Sequence, residues 1–234
     1  MPSGIDIEQR ESEQNSVQRG VRIAGWGKAV PERVLTNADM EKIVDTSDEW
    51  ITTRTGIKER HIVEDHESTS TLALVAARAA LKCADATGAD VQLIICATAT
   101  PDYQFPSVAC LLQSALGSAA AAFDIQAACS GFLYGLITAS QFLVTGLYDS
   151  ALVVGAETLS RITDWTDRST CVLFGDGAGA VYLEATEAPG DIRASWLGAD
   201  GSNPTYLYMD GPARSQQPTI LSPSPSCSIH ATPC

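Results

Sequence analysis

The sequence lacks the features that mark membrane, secreted and zinc-binding chains. It contains no run of about 18 consecutive apolar residues, so no membrane-spanning helix is predicted. The first twenty residues have neither the basic start nor the apolar centre of a signal peptide. The seven cysteines include no C-x-x-C pair, and their odd number suggests neither a disulfide framework nor a zinc site. We therefore expect a cytoplasmic protein with reduced thiols and no bound metal.

Positive charge is also scarce. Lys and Arg total 15 against 28 Asp and Glu, which gives a net charge of −13. A chain with this balance repels nucleic-acid phosphates and anionic lipids, so neither nucleic acid nor membrane is expected as a partner. Hydrophobic residues make up 45% of the chain and charged residues 18%, which indicates a packed globular core. A phosphate-bearing ligand would need a local basic pocket.

The apolar pattern predicts strands that alternate with helices. Strands are predicted at residues 21–26, 91–97, 119–125, 150–156, 171–174 and 178–183. Helices are predicted at residues 70–86, 106–116 and 130–147, after two short helices that start near Thr36 and Ser47. This alternation predicts an α/β fold on a parallel or mixed sheet. Residues 1–20 are expected to form a disordered polar tail, and the Ser/Pro-rich residues 213–234 an unstructured one.

Residues 121–132 suggest a reactive centre. They read as a buried strand, a tight connection, the cysteine Cys129, and small residues that open a long helix. A helix N-terminus carries partial positive charge and unpaired backbone N–H groups, which favour a thiolate there. Small neighbours leave room for a substrate and free the cysteine's own N–H to act as an oxyanion donor. The alternative is a cysteine that only packs in the core.

Trp50 and Arg54 form a second candidate site. They are four residues apart and so share one face of a short helix. An aromatic ring beside a guanidinium suits a nucleotide, because the ring stacks on the base and the arginine contacts phosphate. The alternative is a surface tryptophan covered by a cation. Arg168, in a polar loop, is a further possible phosphate contact or else simply solvent-exposed.

Two other segments receive structural interpretations. The glycine-rich residues 175–179 lack the Lys-Ser/Thr of a phosphate loop, and they predict a turn whose backbone passes close to the active centre. Residues 58–61, which contain His61, form a charged stretch that is predicted to be solvated. None of the three histidines lies in an obvious catalytic setting.

Together these segments resemble β-ketoacyl-acyl-carrier-protein synthase III, the condensing enzyme that initiates type II fatty acid synthesis. The resemblance extends over about residues 21–211, and its motifs occur in the family's order. The matching stretches are residues 45–51, 53–61, 99–102, 105–107, 124–132, 155–157, 166–168 and 174–180.

The resemblance implies a thiolase-like layered αβαβα fold, of which mainly the first α/β half is present. Residues 21–186 would form that half, and residues 187–212 would begin the second. The implied reaction is a decarboxylative condensation in which Cys129 accepts an acyl group from acetyl-CoA or another short acyl-CoA. Malonyl-acyl-carrier-protein then decarboxylates and attacks the acyl group. No cofactor besides the acyl-CoA substrate is implied.

The resemblance also assigns binding residues and a partner. The residues that match the family's CoA-binding set are Thr46, Trp50, Arg54 and Arg168. Phe105 matches a residue that reaches into the acyl pocket of the neighbouring subunit, which implies a homodimer.

The sequence departs from the family in one respect. The family stabilises the enolate of the decarboxylation step with a histidine and an asparagine, in His-Gln-Ala-Asn and Gly-Asn-Thr-Ser motifs. Neither motif occurs here, and His230 does not match. We therefore expect a truncated or frame-shifted product that hardly condenses by itself, which leaves open whether it is an enzyme. The alternatives are a non-catalytic, dimerising remnant that keeps CoA contacts, and another thiolase-fold synthase, which the Trp50–Arg54 segment argues against.

Overall fold

The computed structural model of the protein describes residues 19–202, 207–209 and 229–231. The strands are β1 (Arg19–Ala29), β2 (Val34–Thr36), β3 (Glu59–His61), β4 (Leu93–Ala97), β5 (Ala121–Ile125), β6 (Ser150–Thr158), β7 (Asp176–Glu187), β8 (Leu207–Met209) and β9 (Ile229–Ala231). The helices are α1 (Asn37–Met40), α2 (Asp48–Thr55), α3 (Thr69–Cys83), α4 (Val108–Ala115) and α5 (Gly131–Val144).

A five-stranded mixed sheet in the order β1-β7-β6-β4-β5 organises the molecule. Strand β4 runs parallel to both β5 and β6, whereas β7 runs antiparallel to β1 and β6. Strands β2 and β3 form a separate two-stranded sheet, and β8 and β9 form another. The predicted α/β architecture on a mixed sheet is confirmed.

Helices cover both faces of the sheet and make three layers. Alternate residues of a strand point to opposite faces, so Ile94 of β4 packs beneath α3 and α4 while Ile95 packs beneath α5. On the α3 and α4 side the core also contains Leu72 and Leu112. On the α5 side it contains Leu143. Both cores consist mainly of fully buried apolar side chains, which hold the helices against the sheet.

Local capping defines where several helices begin. Thr36 and Asp39 form a reciprocal capping box at α1, and Ser47 accepts a hydrogen bond from the backbone N–H of Trp50 at the start of α2. Helix α2 ends at Gly56, whose φ of 75° is left-handed and favours glycine. These short helices occur where the sequence predicts them. Helix α4 begins later than predicted, because Ser107 caps it and Pro106 precedes the cap.

The segment around residues 171–179 differs from the prediction. Residues 171–173 belong to a turn rather than to a strand, and β7 starts at Asp176, within the stretch predicted as a glycine turn. The reason is long-range pairing: Gly179 lies between Lys28 of β1 and Gly155 of β6. Ladder hydrogen bonds on both sides outweigh the low strand propensity of glycine.

Strand β5 and part of helix α5 are less buried than their apolar sequences suggest. Strand β5 is not a buried strand but an edge strand, and Phe123 on it is exposed. Along α5, Leu133 is 57% exposed, whereas Ser140 is buried and Leu136 packs against the core on this side of the sheet. The sheet also contacts a small residue of this helix: a Cβ added to Gly135 would lie only 3.3 Å from Cγ1 of Val153. Close approach therefore favours a small residue at that position.

The terminal segments are described only in part. Strand β1 begins at Arg19, inside the predicted polar tail, because Arg19 and Gly20 pair with the end of β7. Strand β9 lies inside the Ser/Pro-rich segment that received no fold, and it pairs with β8. Residues 1–18, 210–228 and 232–234 lie outside the described residues. The predicted boundaries between the first half, the second half and the tail, at residues 186/187 and 212/213, stay predictions. No helix in the described ranges is both long and apolar enough to cross a bilayer.

Candidate active site

Cys129 lies in a single 3₁₀ turn, Ala128–Ser130, between β5 and α5. It is exposed, whereas Cys96 and Cys171 are buried. The alternative of a packing cysteine thus describes Cys96 and Cys171 but not Cys129. The sulfur is available to a ligand.

The backbone next to Cys129 is strained. Ala128 has a φ of 45°, a left-handed conformation that residues with a Cβ rarely adopt. Such outliers cost about 1–3 kcal/mol each and cluster at functional sites. The turn directs the chain sharply from the edge strand into the helix, with the cysteine at the bend. Among the exposed cysteines that the structure describes, Cys83, Cys110 and Cys129, only Cys129 directly follows a non-glycine residue with a left-handed φ.

The start of α5 is held close to the sheet and has no side-chain cap. Ser130 occupies the N-cap position without making a capping hydrogen bond. A Cβ added to Gly131 would lie 3.2 Å from the Cβ of Ala97, the last residue of β4. The first-turn N–H groups thus remain without a capping side chain next to Cys129, and such groups can stabilise negative charge on a ligand.

Three candidate residues follow the carboxyl ends of parallel strands. Phe105 lies in the connection after β4, Cys129 in the connection after β5, and Arg168 in the connection after β6. Because the carboxyl ends of parallel strands meet at one edge of a sheet, these segments share that edge. Ligands of α/β proteins commonly bind there.

Trp50, Arg54 and Arg168 come together in the folded chain. The guanidinium carbon of Arg54 lies 4.5 Å from the centroid of the Trp50 ring, and that of Arg168 lies 5.1 Å from it. Arg168 also donates a hydrogen bond of 2.9 Å to the backbone oxygen of Asp45. One aromatic ring with two cations can recognise a base and its phosphates. Arg168 is thus not an isolated solvent-exposed side chain.

The space over Trp50 is occupied by Arg168 itself. An aromatic ring inserted between them needs about 3.5 Å on each side, or about 7 Å in all. The present distance of 5.1 Å is too short for that. A base can stack between these two side chains only if the Arg168 guanidinium first moves outwards by about 2 Å.

Thr46 and Phe105 make fewer contacts that point to a role than the residues around Trp50 do. Thr46 is half-buried next to Asp45, and its Oγ1 has no hydrogen-bond partner among the described residues. Phe105 is 86% exposed and stands away from the core of its own chain. The fold therefore does not bring Phe105 into contact with a buried surface of the same subunit.

Three carboxylates that the sequence did not single out anchor the connection between β4 and α4. Glu157 accepts hydrogen bonds from the N–H of Ala99 and the hydroxyl of Thr100. Asp124 accepts two from the start of α4, at 2.7 and 2.8 Å. Burial raises the pKa of both carboxyl groups. The third carboxylate is Asp102, which binds Ser70 through its backbone N–H and its hydroxyl.

A cavity of about 450 Å³ lies at the same edge of the sheet. Its wall includes Thr98, Tyr103, Asp124 and Gln126, from the connection after β4 and the end of β5. Gln126 stands close in sequence to Cys129, although Cys129 itself does not line the cavity. The cavity places a partly open space beside the connection that carries the cysteine.

Residues 58–61 are solvated only in part: Lys58 and Glu59 are exposed as predicted, whereas Arg60 is buried. Arg60 is only 5% exposed, and Nδ1 of His61 lies 2.5 Å from the backbone oxygen of Pro31. Residues 59–61 form strand β3, which pairs with β2 and turns Arg60 inwards. The run of charged residues does not predict the burial of Arg60, because that burial depends on the distant segment around Val172.

Known proteins match this chain closely. A family model described as 3-oxoacyl-[acyl-carrier-protein] synthase III matches residues 123–201. The β-ketoacyl-[acyl-carrier-protein] synthase III of Caldanaerobacter subterraneus is 57% identical over 188 residues, covering 80% of this chain and 57% of the relative. That of Geobacillus kaustophilus is 57% identical over 192 residues, covering 82% and 62%. The chain belongs to the β-ketoacyl-acyl-carrier-protein synthase III family.

Solved structures of synthase III proteins confirm the thiolase-like fold. The enzyme of Aquifex aeolicus has a TM-score of 0.79 and 53% identity, covering 82% of this chain and 62% of its own. That of Thermus thermophilus has a TM-score of 0.81 and 43% identity, covering 90% and 65%. A priming β-ketosynthase from a polyketide pathway is more distant, at 32% identity and a TM-score of 0.75. The family recognised from the sequence is thereby confirmed over the alternative of another thiolase-fold synthase.

The match does not extend over the whole of a synthase III. The chain spans 57% to 62% of the length of these two curated relatives. The roles of Cys129, Thr46, Trp50, Arg54, Arg168 and Phe105 stay predictions.

Proposed function

We propose that this chain carries the acyl-accepting site of a β-ketoacyl-acyl-carrier-protein synthase III. The reaction is the condensation of acetyl-CoA, or another short acyl-CoA, with malonyl-acyl-carrier-protein at the start of fatty acid synthesis. The observation that carries the proposal is the exposed Cys129 at a strained turn, on the same sheet edge as the segment that brings Arg168 to Trp50. A cytoplasmic location belongs to the same proposal.

Acyl transfer is the first step. The thiolate of Cys129 attacks the carbonyl carbon of the acyl-CoA thioester and forms a tetrahedral oxyanion. Backbone N–H groups at the uncapped start of α5 are available to stabilise that oxyanion. The bond from carbon to the CoA sulfur then breaks, and the CoA thiolate takes up the proton that the Cys129 thiol lost. The products are an acyl thioester on Cys129 and free CoA.

In this proposal CoA is recognised by the cluster of Trp50, Arg54 and Arg168, which we call the Trp50 cluster. The adenine stacks on Trp50 after Arg168 swings aside, and Arg54 and Arg168 contact the phosphates. Thr46 lies beside this cluster and supplies a hydroxyl that has no other partner among the described residues. The cluster gives the acidic chain the local positive charge that a phosphate-bearing ligand requires.

Condensation is the second step. Malonyl-acyl-carrier-protein loses CO₂, and the freed electron pair attacks the acyl carbon. The new C–C bond forms as the bond to the Cys129 sulfur breaks. Removal of a single oxyanion donor costs about 10²–10³ in rate. The histidine and asparagine motifs that the family uses here are missing from the sequence. We therefore assign the acyl-transfer step to the residues of this chain.

A homodimer completes the proposal. Strand β5 is paired only with β4 among the described strands, so its outer edge is open to a second copy. The Phe105 side chain is 86% exposed, which suits a residue that inserts into the partner's acyl pocket. Both features are properties expected of an interface rather than of a free surface.

Intact-mass spectrometry with acetyl-CoA tests the acyl-transfer step. The full chain should gain the mass of one acetyl group, and Cys129→Ser should gain none. Cys110→Ser is the matched control, because Cys110 is also exposed and should leave the adduct unchanged. An absent adduct, or an adduct that survives Cys129→Ser, would overturn the proposal.

The non-catalytic alternative makes a different prediction. A dimerising remnant that only keeps CoA contacts would bind CoA without acquiring an acetyl group on Cys129. Calorimetric CoA binding together with an unchanged mass would therefore favour that second function.

A further inference from the structure

Arg60 is a buried cation whose hydrogen bonds within the described residues go to neutral oxygens. It lies on β3 with only 5% of its surface exposed. Its guanidinium donates to two backbone oxygens and one amide oxygen, those of Leu35, Val172 and Asn37. Burial lowers the pKa of Arg60. Desolvation of a guanidinium is unfavourable, so an apolar side chain would serve better if packing alone were required.

One arm of Arg60 connects to the helix that carries Trp50. Its Nη1 donates to Oδ1 of Asn37 at 2.9 Å. Asn37 is itself buried, and its Nδ2 donates to Oδ1 of Asp48 at 2.8 Å and to the backbone oxygen of Ile57 at 2.8 Å. Asp48 is the first residue of α2, and Ile57 directly follows its C-cap. This arm therefore fixes both ends of α2.

The other arm connects to the turn that carries Arg168. Nη2 of Arg60 donates to the backbone oxygen of Val172 at 2.7 Å. Residues 168–173 form one turn segment, and Val172 is buried against Met40 and Ile51. Gly175 makes room for this contact, since a Cβ there would lie 3.0 Å from the Cβ of Arg60. Movement of the turn relative to α2 would break one of the two arms.

We propose that Arg60 is a positioning residue that sets the separation of the two backbone segments that carry Trp50 and Arg168 and form the walls of the nucleotide cleft. This inference rests on the proposed function, because it assumes that the Trp50 cluster binds the adenine nucleotide of CoA. The guanidinium suits the role since its rigid fork donates in two directions at once, towards Asn37 and towards Val172. A lysine amine on a flexible stem does not hold two walls at a fixed separation.

The test compares two thioesters that differ only in the nucleotide. Acetyl-CoA carries the adenine and phosphates, whereas acetyl-pantetheine lacks them. The rate of acetylation of Cys129 is measured with each, in the full chain and in Arg60→Met. A misplacement of about 1 Å can cost up to 100-fold, so Arg60→Met should slow the reaction with acetyl-CoA roughly 10-fold or more. The rate with acetyl-pantetheine should change by less than about twofold, since no nucleotide contact is involved.

Arg60→Lys provides the second variant in case Arg60→Met does not fold. It keeps the charge but reaches one wall only, so we expect the same selective loss, smaller in size. Equal losses with both thioesters would overturn the inference, because they indicate damage to the fold in general. An unchanged rate with acetyl-CoA would overturn it as well.

The outcome for the unsubstituted chain separates this inference from the proposed function. Acetylation by neither thioester would overturn the proposed acyl transfer. Equal rates with both would overturn the nucleotide site, and the role of Arg60 with it. A preference for acetyl-CoA that Arg60→Met retains would overturn the role of Arg60 alone.

Discussion

Two guanidinium groups lie over the Trp50 ring. That of Arg54 is 4.5 Å from the ring centroid, and that of Arg168 is 5.1 Å from it. The indole is backed by a small apolar cluster that contains Ile51 and Val172, so its position is fixed by packing. Cation–π attraction to two arginines holds the ring in the absence of a base. A nucleotide would exchange one of these contacts for base stacking, which keeps the site's charge while changing its shape.

Replacement of Trp50 should weaken CoA binding. Base–aromatic stacking is worth about 1–3 kcal/mol by alanine substitution, which corresponds to roughly 5- to 150-fold in affinity. We expect a loss in this range for Trp50→Ala and a much smaller one for Trp50→Phe, measured by isothermal titration with CoA. Trp196→Ala is the matched control, because Trp196 is 88% exposed and lies outside the cluster. Unchanged affinity in Trp50→Ala would contradict stacking.

At the scale of secondary structure elements, the connection between β4 and α4 is held at three points. Glu157 binds the start of this connection, and Asp102 anchors its middle by binding Ser70. Asp124 binds the first turn of α4. Phe105 lies between the last two points. The anchors restrict the position of Phe105, because the Asp102 side chain holds the connection before it and the backbone N–H of Val108 holds the connection after it.

Asp124 should show a measurable linkage between stability and pH. Burial raises its pKa above the ordinary value of 3.8, so the folded chain binds this proton more tightly than the unfolded chain. The contribution of Asp124 to stability therefore falls as the pH rises from the pKa of Asp124 in the unfolded chain to its higher pKa in the folded chain. Relative to Asp124→Asn, which does not titrate, the native chain should gain unfolding free energy as the pH is lowered towards 4. Denaturant unfolding at several pH values measures it, and the opposite slope would refute it.

Asp124→Ala serves as the companion to Asp124→Asn. It leaves the N–H groups of Val108 and Ala109 without their acceptor, which should lower stability at neutral pH by about 0.5–2 kcal/mol. The asparagine retains one acceptor oxygen and should lose less.

At the scale of the whole molecule, the central sheet ends in β1 on one side and β5 on the other. The N–H of Ala121 donates to Gln92 at 3.0 Å, on the β4 side. Successive residues of a strand direct their backbone groups to opposite edges, so the N–H of Ala122 faces the open side. An antiparallel copy of β5 could pair there and continue the sheet into a second subunit.

Ala122→Pro should abolish the dimer and leave the subunit folded. Proline is tolerated at an edge position whose N–H points outwards, but it removes the donor that a partner strand needs. Light scattering during size-exclusion chromatography measures the mass of the particle. Ala121→Pro is the matched control, because it removes the inward bond to Gln92 and should lower the melting temperature instead. A dimer that withstands Ala122→Pro would rule out pairing through this edge.

Local features of the sequence determined a large part of this structure. The caps at Thr36 and Ser47 marked two short helices, and apolar runs marked β4 and β6. The position of Cys129 at the start of a helix and the pairing of Trp50 with Arg54 also followed from spacing. Caps, periodicity and helical spacing act over a few residues, so the sequence can be read for them directly.

Only the tertiary structure decided the remainder. Arg60 reads as a solvated charge, and its burial depends on Val172, which is 112 positions away in the chain. The glycine segment became a strand because β1 and β6 pair with it, and β5 became an edge because no described strand lies beyond it. Arg168 reached Trp50 in the same way, across a long stretch of chain. Each outcome depends on contacts between distant segments, which form only when the sheet brings them together.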